Sequence, residues 1–319
     1  MAQCFEDFIM AISAERFGTL QMSAAMALSG TLGFFVLESG QTPFNVVFFR
    51  CLFGALALLV YCHARGLLAR RYFTRRTLLL AAAAGAALVM NWVLLFSAYR
   101  LASISLSTAV YNFQPFFLMA LGALFLGERP GVAKVAWAAV AFSGLLLLLD
   151  LKVAQVSLHD AHLLGLLLGM GAGALYAVTA IIVKRLSGIP PHLLALVQAA
   201  VGIVMLAPVA DFSTLPGSLS QWGCLVVLGV VHTCLMYILL YSAIQKLATP
   251  VIAALSFIYP AVAILVDYAF FGQRLDIAQA MGISLILLAV AGVTLNWRLW
   301  PRMGPKRCAA GPAPRLPRL

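Results

Sequence analysis

Charge is what this chain has little of. Only 10% of its 319 residues are Asp, Glu, Lys or Arg, against about 25% in soluble domains. So few charges cannot cover a water-soluble globule of this length, which excludes that class. The marks of familiar chemistry are missing too. There is no phosphate-binding P-loop, no HExxH, no GxSxG and no CxxC, and no His/Cys cluster has metal-ligand spacing. The six cysteines (4, 51, 62, 224, 234 and 308) are scattered, four of them inside apolar runs, and read as small core-filling residues. No metal or cofactor is expected, and the chain does not read as an enzyme. Glu6 and Asp7 precede the first arginine, the wrong charge for a signal peptide, so the first long apolar run is expected to be a retained span.

What is present is hydrocarbon. Hydrophobic residues make up 63% of the chain and the mean hydropathy is +1.01, which excludes intrinsic disorder. A spanning helix needs about 20 apolar residues. Ten such runs lie at 20–38, 44–64, 77–98, 103–126, 131–150, 161–183, 191–210, 220–244, 248–271 and 276–297. The expected fold is an all-α integral membrane protein of ten transmembrane helices. With residues 1–19 in the cytoplasm, seventeen Lys and Arg fall on cytoplasmic segments. They include Arg65, Arg75, Arg76, Lys184, Arg185, Lys246 and six in a tail at 298–319. The opposite face holds three: Arg100, Lys152 and Arg274. That asymmetry predicts both termini inside. It also accounts for the net charge of +11 without nucleic acid as a partner. The tail, rich in Pro, Gly and Arg, is expected to be disordered and cytoplasmic, close to anionic lipid.

Shifting the chain by 145 residues aligns 94–133 with 239–278 without a gap. Leu94, Ser97, Ala98, Pro115 and Gly127 meet Leu239, Ser242, Ala243, Pro260 and Gly272, and FLGER meets FFGQR. The unit holds five spans. An odd number makes the second copy enter from the opposite side, so 20–150 and 161–297 are expected to be two inverted five-helix repeats, an arrangement typical of transporters. GTLGFFV, FFRCLFGALALL, SAYRLASISLSTAVYNFQPFFLMALGALFLGERP and its second copy SAIQKLATPVIAALSFIYPAVAILVDYAFFGQRL resemble the drug/metabolite transporter superfamily, EamA branch. The resemblance covers about 20–297. It implies ten helices, cytoplasmic termini and transport of small metabolites, often export of amino acids or their relatives across the bacterial inner membrane. The second copy departs from the pattern where Gln273 stands opposite Glu128.

Candidate transport residues follow from polarity and pairing. Pro115 and Pro260 occupy equal positions in spans 4 and 9 and free the carbonyls of Tyr111 and Ser256. Two readings stay open: packing kinks, or hinges whose carbonyls bind a substrate amine. Ser103, Ser107, Tyr111 and Gln114 fall within about 80° on span 4, and Ser256, Tyr259, Ala263 and Asp267 do so on span 9. These stripes are expected to point inward as cavity walls or interhelical bonds. Asn112 lies on another face. Trp92 and Tyr237 are matched aromatics of spans 3 and 8, with Asn91 and His232 at similar depth, and Tyr176 is a further wall candidate. His232 either titrates or bonds a backbone carbonyl. An intramembrane charge costs on the order of 2.5–3.5 kcal/mol, so Asp267, Arg50 and Glu38 need accounts. Asp267 serves a proton or an amine, or is wetted at the interface. Arg50 pairs with Glu38 or snorkels, or else recognises a substrate carboxylate. Gly165, Gly169, Gly173, Ala81 and Gly85 are assigned to close helix packing.

Together these point to a secondary transporter working by alternating access, with a small-molecule substrate, the lipid bilayer and, as an open alternative, protons as partners. A cavity of this lining suits a zwitterion such as an amino acid. Larger amino-acid-derived metal chelators, purines and cationic drugs are the other substrate classes. A non-transporting sensor or scaffold is the other functional class. Oligomeric state is not written in the sequence.

Overall fold

The computed structural model describes residues 2–72, 74–101, 107, 110–128, 130–148, 160–213, 215–271, 277–295 and 297. The tail, Ser103, Arg129, Lys152 and Arg274 lie outside them, as do the side chains of Arg100 and Asp267. The regular structure among the described residues is helical. Ten apolar helices are present among the described residues, six of them long and apolar enough to cross a membrane. They are α1 (Ala2–Glu38), α2 (Pro43–Ala64), α3 (Arg75–Leu101), α4 (Gln114–Leu126), α5 (Val132–Leu148), α6 (Asp160–Arg185), α7 (Pro191–Leu206), α8 (Leu219–Gly229, a π-turn Val230–Leu235, then Met236–Lys246), α9 (Thr249–Leu255 and Ile258–Phe271) and α10 (Ile277–Thr294). Residues 2–19 and the first span form one continuous helix, and the membrane-capable part of α1 is Ala14–Val36.

Local chemistry sets the ends. Thr42 caps α2 by accepting the Asn45 N–H at 3.3 Å, with Pro43 in the first turn where its missing N–H costs nothing. Ser218 caps α8 through the Gln221 N–H at 3.2 Å. The turn after α4 closes at Gly127, whose φ of 67° is the left-handed conformation that favours glycine. Most connections are short, so neighbours run antiparallel.

Packing follows from the solvent. Lipid is as apolar as leucine, so helices associate through close fit rather than through a hydrophobic drive. The main pairings are α3 with α6 and α7, α1 with α8 and α9, α2 with α7 and α8, α4 with α6 and α9, and α5 with α10. Small residues sit at the crossings. A Cβ on Gly54 of α2 would stand 2.6 Å from Thr233 Cγ2 and 3.1 Å from the Gly229 carbonyl of α8. Gly85 meets the Gln198 backbone, and Gly169 and Gly173 meet the carbonyls of Ser107 and Tyr111. The glycine rows expected to allow close packing therefore do so. Leu124, Val132, Val204, Leu219 and Ile277 remain exposed on the outer faces, as a lipid-facing surface requires.

Gly54→Val is expected to lower the unfolding temperature in detergent, an overpacking cost on the order of 1–3 kcal/mol. Gly223→Val, where no atom lies within 4 Å, should leave it unchanged or raise it. Equal effects from the two would contradict this packing.

Candidate functional site

Two helices break where the prolines placed the break. Pro260 has no N–H to give, and α9 turns at Ser256 and Phe257, where Phe257 N–H bonds the Ala254 carbonyl at 3.3 Å and Tyr259 N–H the Ser256 carbonyl at 3.3 Å. The chain before α4 is helical at 110–111 and turns at 112–113. There Phe113 N–H bonds the Val110 carbonyl at 3.1 Å and Phe116 N–H the Phe113 carbonyl at 2.9 Å. The Tyr111 carbonyl points at Gly173 of α6, 2.7 Å from where a Cβ would sit. Only glycine admits that approach. Pro115 and Pro260 are both buried.

A polar centre lies beside these breaks. Arg50, 3% exposed, reaches from α2 to the π-turn of α8. Its Nε donates to Thr233 Oγ1 at 3.1 Å and its Nη2 to the His232 carbonyl at 3.3 Å. The π-turn makes this bond available. Met236 N–H, which in an α-helix would bond the His232 carbonyl, bonds that of Val231 instead. The guanidinium lies 4.5 Å over the Trp92 ring, and Trp92 meets Tyr237 edge-on with centroids 6.4 Å apart. Tyr237 in turn packs on Tyr241 at 5.2 Å. Tyr111 lies within electrostatic range of Asn91, Tyr176, Tyr237 and Tyr259, so these expected wall residues do converge.

The centre contains polar atoms without protein partners among the described residues. Asn91 donates to the Ala172 carbonyl at 2.6 Å, but its Oδ1 has no partner. Gln114 Oε1 and Ser107 Oγ are also buried without one. Asn91 and Gln114 meet the same turn of α6, at Ala172 and Gly173. Gln198 of α7 accepts from the Tyr241 hydroxyl and leaves its Nε2 unpartnered. It faces a small void lined also by Cys51, Trp92, Thr233 and Tyr237, with room for about one water. Buried polar atoms are nearly always bonded, so this concentration of exceptions marks the site.

Other expected residues lie elsewhere. Glu38 is exposed at the end of α1. Arg50 sits about two turns into α2 on the face that packs against α8, so no Glu38–Arg50 ion pair forms. The His232 ring joins helices: its Nε2 is 2.9 Å from Thr31 Oγ1, its Nδ1 is 3.4 Å from the Val227 carbonyl, and it packs on Phe35. Ser256 Oγ donates to the Ile252 carbonyl at 2.8 Å. Asp267 stands on the second segment of α9. Gln198, Tyr241 and Thr233 were not anticipated, although a glutamine alone in the apolar run of span 7 is a signal that could have found the first.

The profile of the EamA-like transporter family matches residues 16–150 and again 163–295. The chain belongs to that family. It is 30% identical over 274 residues to the uncharacterised transporter YxxF of Bacillus subtilis (strain 168), covering 85% of this chain and 88% of the relative. It is 26% identical over 286 residues to an uncharacterised transporter of Archaeoglobus fulgidus, covering 89% and 97%. A crystal structure superposes with a TM-score of 0.77 at 21% identity, covering 88% of this chain and 96% of its own, a likeness of fold. The protein is a multi-pass membrane transporter, from a family of transporters rather than enzymes, and its partners are a small-molecule substrate and the bilayer.

The FLGER motif has its own place in the structure. Glu128, just past α4, accepts the Thr249 N–H at 2.8 Å and the Thr249 hydroxyl at 2.9 Å, and so caps the start of α9 from another helix. It also pairs with Lys184 of α6 at 2.5 Å, and Lys184 donates to the Leu247 carbonyl. Burial pushes the Glu128 carboxyl up, but the Lys184 ammonium and the two Thr249 donors together outweigh it, so the group titrates below its ordinary 4.5. A depressed folded value means that the carboxylate stabilises the fold fully above 4.5 and stops doing so as pH falls through the lower value. Glu128→Gln should therefore unfold at a lower temperature than wild type at neutral pH, with the gap closing in acid. A gap that stays constant down to strongly acidic pH would contradict the assignment.

Proposed function

We propose that the protein is a secondary transporter of the bacterial inner membrane that exports a small zwitterion, an amino acid or a compound derived from one, by alternating access. The observation that carries this reading is Arg50. It is a buried guanidinium with no carboxylate partner among the described residues, in the same tyrosine-lined centre as two unpartnered acceptors, Asn91 Oδ1 and Gln114 Oε1. A free carboxylate suits Arg50 and Gln198 Nε2, and an ammonium suits the two amide oxygens and the tyrosine hydroxyls. Tyr237 is within electrostatic range of both Arg50 and Tyr111. A cationic drug would meet the fixed charge of Arg50 and is disfavoured.

In this reading 20–150 and 161–297 are inverted halves, with residues 1–19 and the tail at 298–319 cytoplasmic. The helix pairings support it. Moving each helix five places along the chain carries α3–α6 onto α8–α1, α4–α6 onto α9–α1 and α3–α7 onto α8–α2, and leaves α2–α7, α4–α9 and α5–α10 as themselves. The halves rock about the centre, with the breaks at Pro115 and Pro260 as hinges. The driving force is the substrate gradient or protons taken up by Asp267.

The test is transport by purified protein in liposomes, with labelled amino acids set against their decarboxylated and deaminated analogues. Zwitterions should move preferentially, and Arg50→Gln should cut their transport on the order of tenfold or more. Equal movement of the amines, or wild-type rates in Arg50→Gln, would overturn the reading. If Asp267 carries protons, Asp267→Asn folds and binds substrate but loses the pH dependence of transport; a wild-type pH profile in that variant assigns the drive to the substrate gradient.

A further inference from the structure

A groove with about 1030 Å³ of volume lies away from the polar centre, between α3, α4 and α6. Its mouth carries Arg75 and Arg76, which open α3, and Arg185, which closes α6. Its depth is hydrocarbon. Leu79 lies one turn in from Arg75, and Val178 lies about 10 Å in from Arg185 along α6 at 1.5 Å per residue. Leu121 and Phe125 of α4 form the facing wall. Cations at the rim and an apolar floor complement an amphiphile with an anionic head.

The electrostatics at the mouth call for that anion. The first turn of α3 holds two arginines and no acidic residue, although the start of a helix is its positive end and favours negative charge. All three arginines are exposed, and none pairs with a carboxylate among the described residues. Glu128, past the end of α4, is already held by Lys184 and Thr249. Arg185 spends one N–H on the Phe125 carbonyl at 2.8 Å, and a guanidinium has five. A soluble phosphate would satisfy the arginines but leave the apolar wall uncovered. A zwitterionic lipid would bring a compensating cation into a ring of three positive charges.

We infer that this groove is a binding site for an anionic phospholipid, with its phosphate between Arg75, Arg76 and Arg185 and an acyl chain along α6. In the orientation proposed above the lipid comes from the cytoplasmic leaflet. The site itself does not depend on which way the protein faces.

The experiment is native mass spectrometry of the full-length protein in detergent, titrated with phosphatidylglycerol or phosphatidylcholine of matched chains. Wild type should retain phosphatidylglycerol in clear preference. Arg75→Gln, Arg76→Gln and Arg185→Gln should each weaken that retention about fivefold, since one basic residue near an anionic surface contributes about 1 kcal/mol. Val178→Trp, which fills the floor, should displace the lipid while leaving the arginines in place. Thermal unfolding checks that the variants are folded. Should a variant fail that check, the headgroup preference of the wild type still decides. Equal retention of the two lipids, retention untouched by the substitutions, or competition by glycerol phosphate as effective as by the lipid would each overturn the inference. None of these readings requires transport, so failure here is separable from failure of the proposed function.

Discussion

A guanidinium held in the middle of a bilayer costs on the order of 2.5–3.5 kcal/mol by insertion scales, and much of the polar architecture can be read as a response to Arg50. Two helices, α8 and α3, supply its partners. The extra residue in the π-turn of α8 redirects one backbone bond and presents the His232 carbonyl. Thr233 accepts the Nε proton while donating its own to the Leu228 carbonyl. Trp92 offers its face. The crossing of α2 on α8, tight enough to require Gly54 and Gly229, is what brings these groups within reach. Three partners of moderate strength hold the charge without neutralising it, so it remains available to something else.

The second organising constraint is backbone rather than side chain. Helix breaks in a membrane survive only where protein or a wet cavity satisfies the freed groups. Here the break before α4 is covered by α6, where Gly173 lets the Tyr111 carbonyl come close. The same turn of α6 receives the Asn91 amide. One small-residue row therefore serves both packing and the placing of polar atoms.

The sequence made much of this legible, for identifiable reasons. Ten apolar helices were legible because a bilayer demands long apolar runs, and the breaks before α4 and within α9 because a missing N–H cannot be hidden. Trp92 and Tyr237 stood out as matched aromatics 145 residues apart; their direct edge-on contact was not anticipated. What stayed hidden depends on tertiary geometry. A π-turn adds one residue, and the Gly229 just before it is indistinguishable in sequence from a glycine that serves only helix packing. The partners of Glu128 are Lys184 and Thr249, the latter 121 residues away, and periodicity within a helix says nothing about that. Glu38 and Arg50 are near in sequence, but the hairpin that joins them leaves one at the rim and the other facing α8. Proximity along a chain predicts contact poorly once the intervening residues are helical.

The Glu128 clamp also bears on the resting state. It ties α4 and α6 to α9 at one end through an ion pair and a helix cap. The equivalent position of the second copy is Gln273, which carries no charge. In the alternating-access reading proposed above, a carboxylate at one end with an uncharged residue opposite it weights the two states unequally. With nothing bound, such a carrier's population would lean toward the arrangement that keeps the Glu128 contacts closed, and each kcal/mol of that difference would shift the ratio about fivefold. A substrate arriving on that side would have to repay the bias, so that it would bind there more weakly than at the other face by the same factor. On that reading a directional preference would follow from a single unmatched carboxylate.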